Sequence, residues 1–247
     1  MSARKFHAQQ NVSIEEYLKY FYDIPAECPY GMAETAVYRQ QQFGGLPDSV
    51  LGSFLAAGFR RNGNTLYTMN CPGCRKCTPI RVIPSEFNSN RNQKRVWKRN
   101  SDIVVTLGPL TITEEKLALC GEFLGERFPG RGNSSVDYYG TFFASSITNT
   151  LEIEYRLNGR LVGVGIIDIG ESWINAVYFY FDPAESRRSP GTYNILYLIE
   201  LCRKYDLGYL YLGYCIHEIQ AMEYKANFRP HYLLVDGEWV QVTRNKK

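Results

Sequence analysis

Glu152-Ile-Glu-Tyr-Arg-Leu-Asn-Gly-Arg-Leu-Val-Gly-Val-Gly-Ile-Ile-Asp-Ile169 decides how this chain folds. Two β-rich runs flank Asn158-Gly159. That dipeptide is the strongest short-range hairpin signal, because Asn and Gly accept the positive φ angles of a tight turn. Strands are predicted over Glu152 to Leu157 and Leu161 to Ile169. Trp173 to Phe181 reads as a third strand, ending at Asp182-Pro183. Pro190-Gly191 then opens a helix over Thr192 to Arg203, with Ile195, Leu196, Leu198, Ile199 and Cys202 at helical spacing. Tyr209 to Leu212 is a further strand, followed by Gly213-Tyr214. A last helix is expected around Glu218 to Lys225, and a turn at Gly237-Glu238-Trp239.

A hairpin, a strand, a glycine-led helix and another strand, in that order, resemble the core of GNAT-type acyltransferases. The resemblance implies a ligand held where two strands splay apart, close to the N-terminus of the following helix. Backbone N–H groups there suit an anion or a developing oxyanion. The expected fold class is α+β. A GNAT-like catalytic domain is assigned to 131–247 and a smaller, cysteine-rich N-terminal domain to 1–130. The boundary is placed in the Pro-Gly-Arg-Gly-Asn-Ser loop at 129–134.

Upstream, Ser13 is a candidate cap for a helix through Tyr17, Leu18, Tyr20 and Phe21, stopped by Pro25. Cys28-Pro29-Tyr30-Gly31 reads as a turn and residues 40 to 48 as a polar loop. Asp48 caps a predicted helix over Val50, Leu51, Phe54 and Leu55, closed by Gly58. Arg60-Arg61 precede the tight-turn signal Asn62-Gly63-Asn64, with short strands on either side. Ile80 to Ile83 and Asp102 to Leu107 are further strands. Thr113-Glu-Glu starts a helix through Leu117, Leu119, Cys120 and Phe123.

Two features of the first half carry chemistry. Cys71-Pro72-Gly73-Cys74-Arg75-Lys76-Cys77 is a knuckle whose small and turn-forming residues let sulfurs converge. Tetrahedral zinc takes four ligands, and Cys28 is the natural fourth; thiolates hold iron–sulfur clusters equally well. The alternative is a set of reduced, unliganded thiols. Beyond the knuckle, Arg91, Lys94, Arg95 and Lys98 follow the i, i+3, i+4, i+7 rule and share a helix face beside Trp97. Such a face is the footprint of phosphate-backbone binding, although many basic faces are merely solvated.

Composition sets the outer limits. At 247 residues the chain can bury one large core or two small ones. Its 45% hydrophobic and 14% aromatic content excludes a disordered chain, and its 19 tyrosines suit polar grooves as well as a core. The net charge of +3 does not by itself mark a polyanion binder, so the local distribution of charge must do so. Arg4, Lys5 and His7 lead into polar sequence rather than an apolar leader. No apolar run reaches the about 20 residues of a membrane span. A cytoplasmic protein is expected, with its seven cysteines reduced.

Three groups of segments together resemble the arginyl-tRNA–protein transferases, including their bacterial aspartate/glutamate leucyltransferase branch. The first is Gly58-Phe-Arg-Arg-Asn-Gly-Asn-Thr-Leu-Tyr67, with the cysteine knuckle and Pro79-Ile80-Arg81. The second is Phe87 to Arg99. The third comprises Val177 to Pro183, Ser189-Pro190-Gly191-Thr192, Tyr209 to Tyr214, and Met222-Glu223-Tyr224-Lys225. The resemblance implies transfer of an amino acid, leucine or arginine, from charged tRNA to the N-terminal amine of proteins with an exposed acidic first residue. Such products feed N-degron proteolysis. It also implies that Cys28, Cys71, Cys74 and Cys77 form the family's metal or cluster site, with no cofactor in the chemistry itself. The chain departs from the bacterial pattern in two places. Gly31-Met32-Ala33-Glu34 replaces the usual Leu-Pro-x-Arg after Cys28-Pro29-Tyr30, and Ile219 stands where a cysteine is usual.

An aminoacyl ester is already activated, so the enzyme need only align an amine, stabilise an oxyanion and manage a proton. The candidate catalytic residues are Asp168, His217, Tyr224 and Lys225. Asp168 is an acid in an apolar strand that would orient or deprotonate the acceptor, or simply be a bonded core acid. His217, a residue type suited to proton transfer, follows the Gly213-Tyr214 strand end. Tyr224 and Lys225 suit the donor's terminal adenosine or phosphate. Tyr178, Arg187, Arg188 and Gly191 are the candidate substrate-binding residues. The acceptor's acidic side chain calls for a cation, with Arg81, Arg187, Arg188 and Lys225 as candidates. Arg60, Arg61, Lys94, Arg95, Lys98 and Arg99 form the expected tRNA-binding set. Two other readings stand beside this one, a non-catalytic zinc-knuckle RNA-binding protein and a GNAT enzyme using acyl-CoA. Ser186-Arg-Arg-Ser-Pro-Gly191 lacks the glycine spacing of a pyrophosphate loop, which counts against the second.

Overall fold

The computed structural model describes residues 12–243 of the chain. It is a mixed α+β structure built on two sheets. Strands β1 (Tyr22–Ala26), β2 (Ala36–Gln42), β3 (Arg60–Asn62) and β4 (Thr65–Met69) form an antiparallel sheet in the order β1-β2-β4-β3. The larger sheet contains β5 (Thr78–Val82), β6 (Ile103–Pro109), β7 (Thr150–Leu157), β8 (Arg160–Ile169), β9 (Trp173–Phe181), β10 (Tyr209–Cys215), β11 (His231–Val235) and β12 (Glu238–Val242). Its order is β12-β11-β5-β10-β9-β8-β7-β6. Only β9 and β10 run parallel among the described strands. Strands from both sides of residue 130 therefore share this sheet, and β5 lies between β10 and β11.

The decisive hairpin is β7–β8. Asn158 and Gly159 have φ of 50° and 86°, the two positive angles such a turn demands. Residues of β8 then serve two cores in alternation, the phase reset by a bulge at Val162. Val162, Ile167 and Ile169 face helices α3 (Arg91–Arg99) and α6 (Pro190–Lys204), with Val96, Leu198 and Ile199. Leu161, Val164 and Ile166 face α4 (Glu114–Arg127), with Cys120 and Leu124. Leu198 and Ile199 are fully buried, each stabilising the fold by about 1.5–3 kcal/mol. A third cluster places α2 (Asp48–Ala56) and its Phe54 against Phe21, Trp173 and Tyr211, which ties the small sheet to the large one.

The structure differs from the sequence expectation at several elements. Ala36–Gln42 is a strand, not part of a polar loop. Its Arg-Gln-Gln-Gln run carries no apolar alternation, and backbone pairing to β1 and β4 holds it instead. The expected first helix shrinks to a single turn, Glu15–Leu18, with Ile14 rather than Ser13 at its N-cap. Past the 129–134 loop the chain turns helical again, over Ser135–Asp137 and a π-helical turn Tyr138–Phe143. The last predicted helix is short, Gln220–Glu223, and runs on as a 3-10 turn over Tyr224–Asn227. Arg4, Lys5 and His7 lie outside the described residues. Among the described residues, no helix is long and apolar enough to cross a membrane.

Candidate active site

Strands β9 and β10 pair only at Tyr209–Trp173, Leu210–Ile174 and Tyr211–Asn175. Beyond that point they part, and both carry an irregularity. In β9 an extra residue, Val177, lies between the partners of Ile167 and Ile166. In β10 the pairing with β5 breaks between Tyr211 and Tyr214, where Gly213 takes φ 80°. The bulges bend the two strands away from each other. This is the splay expected of the GNAT-type core.

Helix α6 starts after β9, with Ser189 in the left-handed region at φ 58° and Pro190 at its first position. The Tyr193 N–H bonds back to the Ser189 carbonyl, so the N–H groups of Gly191 and Thr192 precede the helix's own ladder. Gly191 leaves room there. A Cβ added to it would lie 3.5 Å from the Tyr224 hydroxyl oxygen, so Tyr224 closes over the helix start.

Lys225 reaches the back of the splay. Its Nζ donates to the Tyr214 carbonyl at 2.9 Å, and the space beside Gly213 brings it near the Arg60 guanidinium. Burial, reinforced by the Arg60 charge, pulls Lys225 down to about 7. Arg60 is itself buried. Its guanidinium bonds the carbonyls of Phe59 and Gly213 at 2.8 and 2.7 Å and faces the rings of Tyr211 and Tyr214. An arginine keeps its proton in such a place, so the lysine is the group that yields.

Arg61 and Asp168 come together elsewhere. The guanidinium donates to both carboxylate oxygens of Asp168, at 2.7 and 2.6 Å, with both side chains 1% exposed. Thr150 and Asn175 supply two more hydrogen bonds to the same carboxylate, each at 2.9 Å. Asp168 is thus a saturated core acid that pins β3 to β8, not a group facing acceptor. Burial likewise removes Arg60 and Arg61 from the surface that a tRNA can touch. His217 stands apart, 71% exposed and 3.7 Å from Glu223.

The cations proposed for the acceptor are mostly engaged. Arg188 forms two hydrogen bonds with Asp102, at 2.9 and 3.0 Å, and one with Glu185. Arg81 sits in a cage of Tyr209, Tyr211, Tyr232 and Trp239, with the tryptophan ring centre 4.2 Å away. Arg187 is exposed, and its carbonyl accepts from Arg99. Tyr178 stands on the splayed part of β9, against Phe123 and Tyr138.

Helix α3 is amphipathic in the expected sense. Asn90 and Gln93 form a reciprocal capping box, and Gln93 and Val96 are buried. Arg91, Lys94, Arg95, Lys98 and Arg99 are all exposed. The Gln93 side chain also bonds the Asn227 carbonyl at 3.2 Å, two residues past Lys225. The basic face is therefore joined to the segment that carries the lysine.

Cys28, Cys71, Cys74 and Cys77 line one pocket with Tyr30, Met32 and Ile216. Burial and the three neighbouring thiols push Cys77 up to about 12. All four are free thiols, and among the described residues no metal-holding group of three or more His, Cys, Asp or Glu side chains is formed. The donor set fits zinc or a cluster in its chemistry: four soft sulfurs facing one space. Sequence reasoning did not find that Tyr30 lines this pocket, nor that the Tyr214 ring packs against both Tyr67 and the Arg60 guanidinium.

The family models described as arginine-tRNA-protein transferase, N terminus and C terminus, match residues 26–95 and 115–235. The aspartate/glutamate leucyltransferase of Methylobacillus flagellatus is 41% identical over 184 residues, spanning 74% of this chain and 74% of that protein. The chain belongs to the arginine-tRNA–protein transferase family. The aspartate/glutamate leucyltransferase of Acinetobacter baylyi extends the match to 95% of this chain and 88% of that protein, at 33% identity. An aminoacyltransferase is accordingly the enzyme class. Among solved structures, FemX matches with a TM-score of 0.47 and 8% identity, covering 88% of this chain and 87% of its own. The C-terminal domain of a putative lysylphosphatidylglycerol synthetase from Agrobacterium fabrum gives 0.46 and 10%, covering 86% and 78%. Likenesses at this level decide nothing about function.

Proposed function

We propose that this transferase family member moves leucine from leucyl-tRNA to the N-terminal amine of proteins that begin with aspartate or glutamate. The names of its relatives favour leucine over arginine and acidic acceptors over others. The reaction belongs in the cytoplasm, where charged tRNA is found, and its products suit N-degron proteolysis. The observation that carries the reading is Lys225, a lysine brought near neutrality at the back of a strand splay that opens onto a helix N-terminus.

In this mechanism the tRNA backbone lies on the exposed basic face of α3, and its aminoacyl end enters the splay beside α6. The acceptor amine, once deprotonated, attacks the ester carbonyl. The new C–N bond forms, the ester C–O bond breaks with its electron pair on the ribose oxygen, and that oxygen leaves as a hydroxyl on receiving the proton that Lys225 took from the amine. The N–H groups of Gly191 and Thr192 face the developing oxyanion; a donor in that role is worth about 2.7–4 kcal/mol. Lys225 takes the amine's proton, and its lone pair is free because Nζ spends a hydrogen, not that pair, on the Tyr214 carbonyl. Tyr224 packs across the opening and positions the donor.

Incubation with tRNA charged with labelled leucine or arginine, and with peptides beginning with Asp, Glu, Arg or Lys, tests the reading. Leucine on the Asp and Glu peptides is expected; no label on any peptide would sink it. The same preparation tests the surface. Lys94→Glu with Arg95→Glu should weaken tRNA binding about tenfold or more and lower the slope of log K against log salt by about 0.7–0.9 per lost contact. An unchanged slope places the tRNA elsewhere.

We also propose that Cys28, Cys71, Cys74 and Cys77 bind zinc or an iron–sulfur cluster, which supplies support for the fold rather than any step of the transfer. Cys74→Ser is expected to lower bound metal and melting temperature together, since structural metal binding is folding free energy. Metal-free wild-type protein whose melting temperature matches that of the variant excludes the site.

A further inference from the structure

An acidic acceptor side chain needs a cation that is not already neutralised. Arg188 is occupied by Asp102 and Glu185, Lys225 is close to neutral, and Arg81, though unpaired with any carboxylate among the described residues, is enclosed by four aromatic rings on the strand pair away from β9. Arg187 lies next to the basic helix, on the side given to the tRNA. We propose that Arg127 reads the carboxylate of the acceptor's first residue.

Arg127 is the last residue of α4, on the sheet face opposite α3 and α6. One turn earlier, Phe123 packs edge-on against Tyr178 and Phe181, with ring centres 6.4 and 5.2 Å apart. Residues four apart on a helix are neighbours, so Arg127 extends the same stripe toward the parted end of β9. Its side chain is exposed and, among the described residues, makes no ion pair and no hydrogen bond. The nearby turn Pro183–Arg188 offers it Glu185, but that carboxylate is bonded to Arg160 and Arg188. Tyr178 and Tyr224 line the splay from a strand and a turn; burial raises both hydroxyls, and the Arg127 charge opposes that rise in each. A cation at a helix C-terminus also gains about 0.3–1 kcal/mol from the macrodipole, but that gain is the same whichever way the helix end faces.

The arrangement gives the two substrates separate approaches. The donor comes along α3 to the start of α6, and the acceptor comes over the end of α4, past Tyr178. A guanidinium holds a carboxylate through two parallel charge-assisted hydrogen bonds, whereas the isosteric amide is uncharged, accepts only one of them and turns its NH2 toward a group that is itself all donors, so the site selects Asp over Asn.

This inference rests on the transferase reading above, and the experiment separates the two. Leucylation is measured for peptides identical except for Asp or Asn at the first position, with wild type, Arg127→Gln and Arg127→Lys, alongside their melting temperatures. The wild type is expected to favour Asp. Arg127→Gln should cut the Asp-over-Asn ratio of kcat/KM at least tenfold, mainly by raising KM for the Asp peptide, and Arg127→Lys should restore part of it. An unchanged ratio in Arg127→Gln, or an equal loss on both peptides, overturns the role of Arg127 while leaving the transferase intact. A wild type that labels neither peptide overturns the parent reading as well.

Discussion

Lys225→Met lowers peptide leucylation by about 10²- to 10⁴-fold, the usual worth of a positioned general base. The pH dependence distinguishes that loss from simple damage. With Lys225 pulled down to about 7, the amine is protonated and unable to accept below that pH, and free above it. The wild-type rate therefore rises through pH 7. A second rise follows from the acceptor's own α-amino group, whose ordinary pKa is about 7.7–8.0. The methionine variant keeps only the second. Lys225→Arg is also inactive, because a guanidinium carries its proton throughout this range. The groups that face Lys225 are Arg60 from β3, which lowers it, Cys215 from β10, which opposes that, and the Tyr214 carbonyl. Rate measurements from pH 6 to 9 on both variants decide the matter. A methionine variant with the wild-type rate and profile means that the proton goes elsewhere.

Asp168→Ala has the largest expected effect on stability. It leaves the Arg61 guanidinium buried with Thr150 and the Phe142 carbonyl as its remaining partners, at 3.1 and 3.0 Å. Stranding one member of a buried ion pair costs about 3–5 kcal/mol, which for a protein of this size lowers the melting temperature on the order of 10 °C. Replacing both residues, Arg61→Met with Asp168→Leu, should recover much of the loss, because the desolvation of two charges disappears along with their attraction. Thermal denaturation of the single and double variants gives the comparison. An alanine variant that melts with the parent would mean that the pair contributes nothing.

The second half of the chain was legible because its elements are locally determined. Asn158-Gly159 fixes a turn, its β-rich flanks fix the two strands of a hairpin, and Pro190 fixes a helix start, each within a few residues. The basic helix was legible for the same reason, through the spacing of Arg91, Lys94, Arg95 and Lys98; the Asn90–Gln93 box that starts it was seen only in the structure. The roles of Arg60, Arg61 and Asp168 were not. Arg61 meets Asp168 across 107 residues and Arg60 meets Gly213 across 153. Adjacent arginines after a glycine look like surface charge until the sheet that buries them is known. The β1–β2 pair escaped notice because its residues are polar and its cohesion comes from backbone hydrogen bonds, which leave no mark on side-chain pattern. Arg127 was passed over because a helix-terminal arginine is ordinary, and only the neighbouring Tyr178 and Tyr224 give it significance.

The position of β5 bears on how the molecule is made. Arg81 and its neighbour across the sheet, Tyr211, are 130 residues apart in the chain. A growing polypeptide leaving the ribosome presents β5 long before β10 and β11 exist to flank it. Loop closure over that distance is slow, and an early strand with bare edges is exposed to wrong partners in the meantime. Arg81 places a charge on that strand while it waits, and a charge on a bare strand discourages edge-to-edge association. The residue that finally fills the cage of Tyr209, Tyr211, Tyr232 and Trp239 is then also the one that keeps the nascent strand apart until its proper neighbours are synthesised.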